Sequence, residues 1–217
     1  MPRNRFDEQL AELNSELIRM GAMCEEAIGL SVKALTTNEI QSARQVFAVD
    51  SEIDQMEREI ENLCLKLLLQ QQPVARDLRQ ISAALKMITD MERIGDQASD
   101  IAEIITYMDG RNAESFEPIV HMADATRKMV TDSIDAYVKR DINLAAKVID
   151  QDDVVDDDFL EVKKSLIGRV ADNPDDGEYI LDLLMIAKYF ERIGDHAVNI
   201  AEWVVFSVTG LHKSSEV

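Results

Sequence analysis

Cysteine, proline, glycine and aromatic side chains are all scarce in this chain: 2 Cys, 4 Pro, 8 Gly and 5% Phe, Trp and Tyr. Each scarcity excludes something. Two cysteines, Cys24 and Cys64, supply neither a disulfide framework nor a cysteine-based metal centre. So little Gly and Pro leaves few places where a helix must stop, and so few aromatics give little material for sheets. No run reaches the length of a membrane span; the most apolar, Ile200 to Val208, is interrupted by Glu202 and Ser207. The start, Met1-Pro2-Arg3-Asn4-Arg5, leads into a charged segment without the apolar core of a secretory leader, so a cytoplasmic protein is expected. There is no glycine-rich phosphate loop, serine elbow or His-Glu-x-x-His string, and no enzymatic activity is expected. What abounds is negative charge, a formal net −19. Such a chain repels nucleic acid and anionic lipid and attracts cations or a basic patch on a protein partner. A 46% hydrophobic content excludes a disordered chain.

The few breakers fall at Thr37-Asn38, Gln72-Pro73, Asp109-Gly110-Arg111-Asn112, Arg140-Asp141 and Asn173-Pro174-Asp175-Asp176-Gly177. Gly110 suits a helix C-cap and Asp141 an N-cap. Between them lie six long segments of helical periodicity. The second half repeats the first. Glu92-Arg93-Ile94-Gly95-Asp96 returns as Glu191-Arg192-Ile193-Gly194-Asp195, and each copy runs on to Ala-x-x-Ile-Ala-Glu. Upstream, Ser31, Ala34, Ile40, Ala43, Val46, Asp50 and Asp54 align with Ser133, Ala136, Ile142, Ala145, Val148, Asp152 and Asp156. Three helices per half with short turns force antiparallel neighbours. The expected fold is all-α: two tandem antiparallel three-helix bundles related by internal duplication, residues 1–110 and 111–217, packed against each other. In the third helix Ala84, Met87, Met91, Ile94, Ala98, Ile101 and Ile105 form an apolar seam at spacings of three and four. Gly95, beside that seam, costs roughly 1 kcal/mol against Ala in a helix interior. Its return as Gly194 implies that another group passes close by.

The repeated strings carry acids as well as apolar residues. Residues four apart share a helix face, so Glu92, Asp96 and Asp100 form one row, and Glu191, Asp195 and Asn199 its twin. These rows turn away from the seam onto the flank of the bundle. The second helix of each half adds a pair, Asp50 with Asp54 and Asp152 with Asp156, within Asp-x-x-[Ile/Val]-Asp. Two carboxylates within about 5 Å repel by roughly 3 kcal/mol at an effective dielectric of 20. If neighbouring helices face their rows together, the acids take up protons, pair with arginine or bind a cation. An all-oxygen set suits Mg, Ca, Mn, iron or Zn, and this many carboxylates suits more than one ion. The bland alternative is a solvated face neutralised by Arg93 and Arg192. Repetition on two helices in each half favours the site. His196 has Gln97 as its counterpart, so it is no shared ligand and is expected to be solvated; His121 and His212 have no helical partner. A ferritin-like di-iron enzyme needs Glu-x-x-His on core helices, and no Glu here has a His three residues later.

Two Glu-Arg-Ile-Gly-Asp strings half a chain apart, each preceded by an Asp-x-x-[Ile/Val]-Asp helix, resemble the PhoU family of bacterial phosphate-signalling proteins. Gln72-Pro73-Val74-Ala75-Arg76-Asp77-Leu78-Arg79 is similar to the turn and helix start of that family's first half. The likeness runs from the Phe6–Met23 region to Trp203. It implies six helices in two bundles, and multinuclear iron or zinc clusters held by a (Glu/Asp)-x-x-x-Asp motif. Carried over, the metal positions are Asp50, Asp54, Glu92, Asp96 and Asp100, then Asp152, Asp156, Glu191, Asp195 and Asn199; Asn199 departs from the pattern. The resemblance also implies a cytoplasmic negative regulator of the phosphate regulon. Its partners would be the ATPase of the Pst phosphate ABC transporter and a phosphate-sensing histidine kinase, without nucleic acid or membrane insertion. Metal identity (Mg, Mn and Ca included), a homodimeric state and service to a different phosphate transporter stay open.

Overall fold

The computed structural model describes residues 2–37, 39–70, 74–108, 111 and 117–211. Among them are six long α-helices and no strand: α1 Pro2–Thr37, α2 Ile40–Gln70, α3 Ala75–Tyr107, α4 Glu117–Lys139, α5 Ile142–Asp172 and α6 Gly177–Thr209. A single 3-10 turn, Pro174–Asp176, separates the last two. Gly110, Pro73, Asn38 and His212 lie outside the described residues, as does the boundary drawn after residue 110. Where the turns are described, their chemistry is local. Asp141 caps α5 by accepting from the backbone amides of Asn143 at 2.9 Å and Leu144 at 3.1 Å. Gly210 ends α6 in the left-handed conformation, with φ 81°, and its amide donates to the Phe206 carbonyl.

Helices α1, α2 and α3 pack mutually, as do α4, α5 and α6. The two bundles are joined by α3 against α6, the most extensive pairing in the molecule, and by α1 against α4. The outer helices are α2 and α5. All seven seam residues of α3 are buried, but so are Ile81, Ala83, Ile88, Gly95, Gln97 and Ala102. The buried surface is wider than one stripe because α3 is flanked by α1, α2 and α6. The core is apolar and continuous across both bundles. Among the described residues its buried polar side chains are Ser31, Ser42, Gln97, Thr126, Ser133 and Ser207, with no carboxylate. A ferritin-like di-iron centre is built from core carboxylates, and the described core residues include none.

Candidate functional site

The repeated glycines bring the acid rows together. A β-carbon on Gly95 would lie 2.8 Å from Asp50 Oδ1 and 3.1 Å from Ile53 Cδ1. On Gly194 it would lie 3.5 Å from Val155 Cγ1 and 3.6 Å from Asp152 Oδ1. The group that passes close to each glycine is thus the first aspartate of the Asp-x-x-[Ile/Val]-Asp pair. At Gly95 only a bare Cα leaves room for Asp50 where α2 crosses α3, whereas at Gly194 a β-carbon would meet Val155 and Asp152 at ordinary contact distance.

The electrostatics report the same grouping. Partial burial raises the Asp50 carboxyl above its ordinary value, and the charges of Asp96, Asp54 and Asp100 raise it further; contact with Ser99 partly offsets this. Its Oδ1 is buried without a hydrogen-bond partner. Glu92 is raised by burial, then by Asp96, Glu57 and Asp54, against Arg93. In the second half Asp152 is pushed up to about 6, by burial first and then by Asp195, Asp156, Asp153 and Glu191. Asp195 is raised by desolvation and by Glu191, with Lys188 opposing. Asp50, Asp54, Glu92 and Asp96 therefore share the α2–α3 groove, and Asp152, Asp156, Glu191 and Asp195 share the α5–α6 groove. Glu57 and Asp153 join them; neither is singled out in the sequence, although Glu57, three residues after Asp54, continues the face of its helix.

The third member of each row turns elsewhere. Asn199 Nδ2 donates to Asp90 Oδ1 at 3.1 Å. Asp100 is raised by burial and by Asp96 and Glu103, while a hydrogen bond from Tyr189 and the charge of Arg192 oppose. Since residue 90 meets 199 and residue 100 meets 189, α3 and α6 run antiparallel about a local pseudo-two-fold. Asn199 thus belongs to the seam between bundles, and Asp100 stands between that seam and its own row. The i,i+4 row drifts around the helix by about 40° per step, enough to carry its third residue to the next neighbour. His196 is not solvated: its Nδ1 lies 2.9 Å from Asp90 Oδ1, partly buried. His121 likewise pairs through Nδ1 with Asp158 of α5 at 2.6 Å.

Cationic neutralisation differs between the grooves. Arg93 reaches Glu92 at 3.5 Å and Asp96 at 3.9 Å from an exposed position, a surface pairing of small value. Lys188 pairs directly with Glu191 and lies over the Phe159 ring at 5.4 Å. Its counterpart in the first half is Thr89, which donates to Glu57 Oε1 at 3.3 Å. Among the described residues no three His, Cys, Asp or Glu side chains converge as a finished ligand set. What the structure provides is two grooves of crowded, facing carboxylates, the first neutralised only from the exposed Arg93 and the second in part by Lys188. That chemistry fits a hard or borderline cation with oxygen ligands.

Comparison with known proteins accords with this architecture. Residues 17–105 and 119–204 each match the PhoU domain. A Clostridium acetobutylicum protein named phosphate-specific transport system accessory protein PhoU homolog is 37% identical over 97% of both chains. A protein of the same name from Pseudomonas putida is 35% identical over 95% of this chain and 81% of its own length. The crystal structure of PhoU from Pseudomonas aeruginosa superposes with a TM-score of 0.90 at 34% identity, covering 95% of this chain and 100% of that one. The phosphate transport system regulatory protein PhoU from Streptococcus pneumoniae superposes at 0.85 with 26% identity, covering 95% and 98%.

Proposed function

This chain belongs to the PhoU family, and from that premise we propose that it is an accessory protein of a phosphate-specific transport system that restrains phosphate uptake and phosphate-regulon signalling. It acts as an adaptor with no chemistry of its own, between the transporter ATPase and a phosphate-sensing histidine kinase, in the cytoplasm. No described helix is long and apolar enough to cross a membrane, in keeping with a protein that docks on such partners.

The observation that carries this reading is the doubled acid groove, built by the most strongly repeated part of the sequence. Asp50, Asp54, Glu92 and Asp96 would hold metal in the first half, with Asp100 and Glu57 beside them. Asp152, Asp156, Glu191 and Asp195 would do so in the second. Asn199 is engaged with Asp90 and stands outside the set. A multinuclear iron or zinc centre would supply charge neutralisation and a clamp between neighbouring helices. Such a clamp fixes α2 on α3 and α5 on α6, and so fixes the outer faces offered to partners.

The test is a double variant, Asp96→Ala with Asp195→Ala, in protein purified without chelator or affinity metal. Loss of bound metal by elemental analysis, with loss of repression in phosphate-replete cells, is expected. Unchanged metal content and unchanged repression would overturn the metal-dependent adaptor. Co-purification of the transporter ATPase and the kinase with the tagged chain tests the partners. Capture of a different phosphate transporter would redirect the reading to that system.

A further inference from the structure

In a chain of net charge −19, one end of the molecule gathers arginines. Arg76 and Arg79 stand in the opening turns of α3, and Arg140 sits in the turn between α4 and α5. These places are tied together. Arg140 Nη1 donates to Gln80 Oε1 at 3.4 Å, and the Tyr137 hydroxyl donates to the Gln80 carbonyl at 3.0 Å. Arg79 Nη1 lies 3.4 Å from the β-carbon position of Gly210, at the end of α6.

Three features of this cluster go beyond what packing requires. Among the described residues none of the three guanidiniums forms an ion pair, although the chain has 42 acidic residues to offer. Arg79 Nε is buried without a hydrogen-bond partner. Arg140 holds the left-handed conformation, φ 56°, and is the one non-glycine residue described that does so. Its amide donates to Tyr137 and the next to Ala136, the hydrogen-bond pattern that normally selects glycine or asparagine. A β-carbon there crowds the following carbonyl oxygen, so the conformation is disfavoured for arginine. Burial, followed by Arg76 and Arg79, holds the Arg140 guanidinium below its ordinary value, and Tyr137 and Asp77 offset this only in part. The three cations therefore sit within electrostatic reach of one another.

We propose that Arg76, Arg79 and Arg140 form a binding site for a phosphate group, taken as inorganic phosphate or as the terminal phosphate of a small nucleotide. Guanidinium forks pair two at a time with the oxygens of phosphate as of carboxylate, and three cations together favour the dianion. The start of α3 lacks a side-chain cap on Val74, so its amides and helix dipole add to the same field. A bound dianion relieves the mutual repulsion of the three cations. The cluster lies roughly 20 Å along α3 from Glu92, at 1.5 Å per residue, so it is separate from the acid grooves. The inference stands on the arginines and not on the regulatory reading.

The test uses the full chain in buffer stripped of divalent metal. It is titrated with inorganic phosphate in one arm and with ADP in the other, followed by calorimetry. Saturable binding in at least one arm is expected, and Arg140→Gly and Arg76→Ala should each weaken it about tenfold or more. Arg140→Gly suits the left-handed backbone, so its ligand-free melting temperature should be kept or raised, which separates lost binding from lost folding. Binding of phosphate alone, or of ADP alone, identifies the source of the phosphate group. No saturable binding in either arm up to about 10 mM would overturn the proposal. So would unchanged affinity in both variants.

Discussion

The two bundles carry the same acid pairs over the same glycine, yet they solve the resulting repulsion differently. In the first, Asp50 is pressed onto Gly95 with its Oδ1 at 2.8 Å from the β-carbon position, and the cation at hand is the exposed Arg93. In the second, Gly194 has room to 3.5 Å, and Lys188 is paired with Glu191 inside the groove. The first groove is tight and under-neutralised; the second is looser and brings a cation of its own. Duplication supplied the geometry twice, and divergence at single positions such as Thr89 and Lys188 altered the charge balance. The first groove should therefore bind an external cation more tightly than the second.

The largest expected difference lies beneath the grooves. Phe190 and its counterpart Met91 are both fully buried. Phe190→Ala should cost about 3–5 kcal/mol and Met91→Ala about 2–5, because the larger ring leaves the larger cavity. Denaturant melts of the two variants check the order; a greater loss from Met91→Ala would place the mechanical centre in the first bundle. Next come the glycines. Gly95→Ala should displace Asp50 and cost about 1–2 kcal/mol through overpacking, with loss of metal from the first groove. Gly194→Ala should gain about 0.5–1 kcal/mol of helix propensity and keep its metal. Equal effects at the two positions would break the contrast. Lys188→Thr, which copies the first-half residue, should raise metal affinity of the second groove by about tenfold. Elemental analysis after dialysis against graded chelator reads that change.

A smaller effect is in pH. The folded-state value of Asp152 is raised to about 6, above the unfolded value of about 4. The native state then binds more protons than the unfolded state between those two values. This group's contribution makes metal-free protein less stable as pH rises from about 4 to 6, and that loss persists above pH 6. With partial exposure discounted, chelated wild type should melt about 2–4 °C higher at pH 5 than at pH 7, relative to Asp152→Asn. A difference of the opposite sign would show Asp152 to be favourably paired. Smallest is the seam: Tyr189→Phe removes the hydrogen bond to Asp100 and should cost about 0.5–1.5 kcal/mol. Asp90→Asn should cost somewhat more, since Asp90 meets both His196 and Asn199.

The helices, the duplication and the burial of the α3 seam were legible in the chain, because periodicity along one helix dictates which side chains share a face. So was the close approach at Gly95, since glycine in a helix interior is costly without a neighbour; at Gly194 the same reasoning finds only ordinary contact. The Asp50–Asp54 and Glu92–Asp96 rows could be placed on outer flanks for the same reason. What could not be read is which flank meets which. The sequence puts His196 in solvent, and it lies against Asp90; the i,i+4 row groups Asn199 with the ligands, and it lies at the α3–α6 seam. Their shared partner, Asp90, stands on α3, another helix altogether. Lys188 also gave no signal beyond an ordinary helix-surface cation, because its effect depends on where Glu191 and Phe159 stand.

The linear chain by itself determined the secondary structure, the two-fold repetition and the existence of paired acid faces, since all three follow from spacing along a single helix. Only the tertiary structure decided that α2 meets α3 at Asp50, that α3 lies antiparallel to α6, and that two arginines of α3 meet a third from the α4–α5 turn at one end. Those outcomes depend on packing between helices, where the burial of apolar seams sets the alignment and polar side chains take whatever partners that alignment brings within reach.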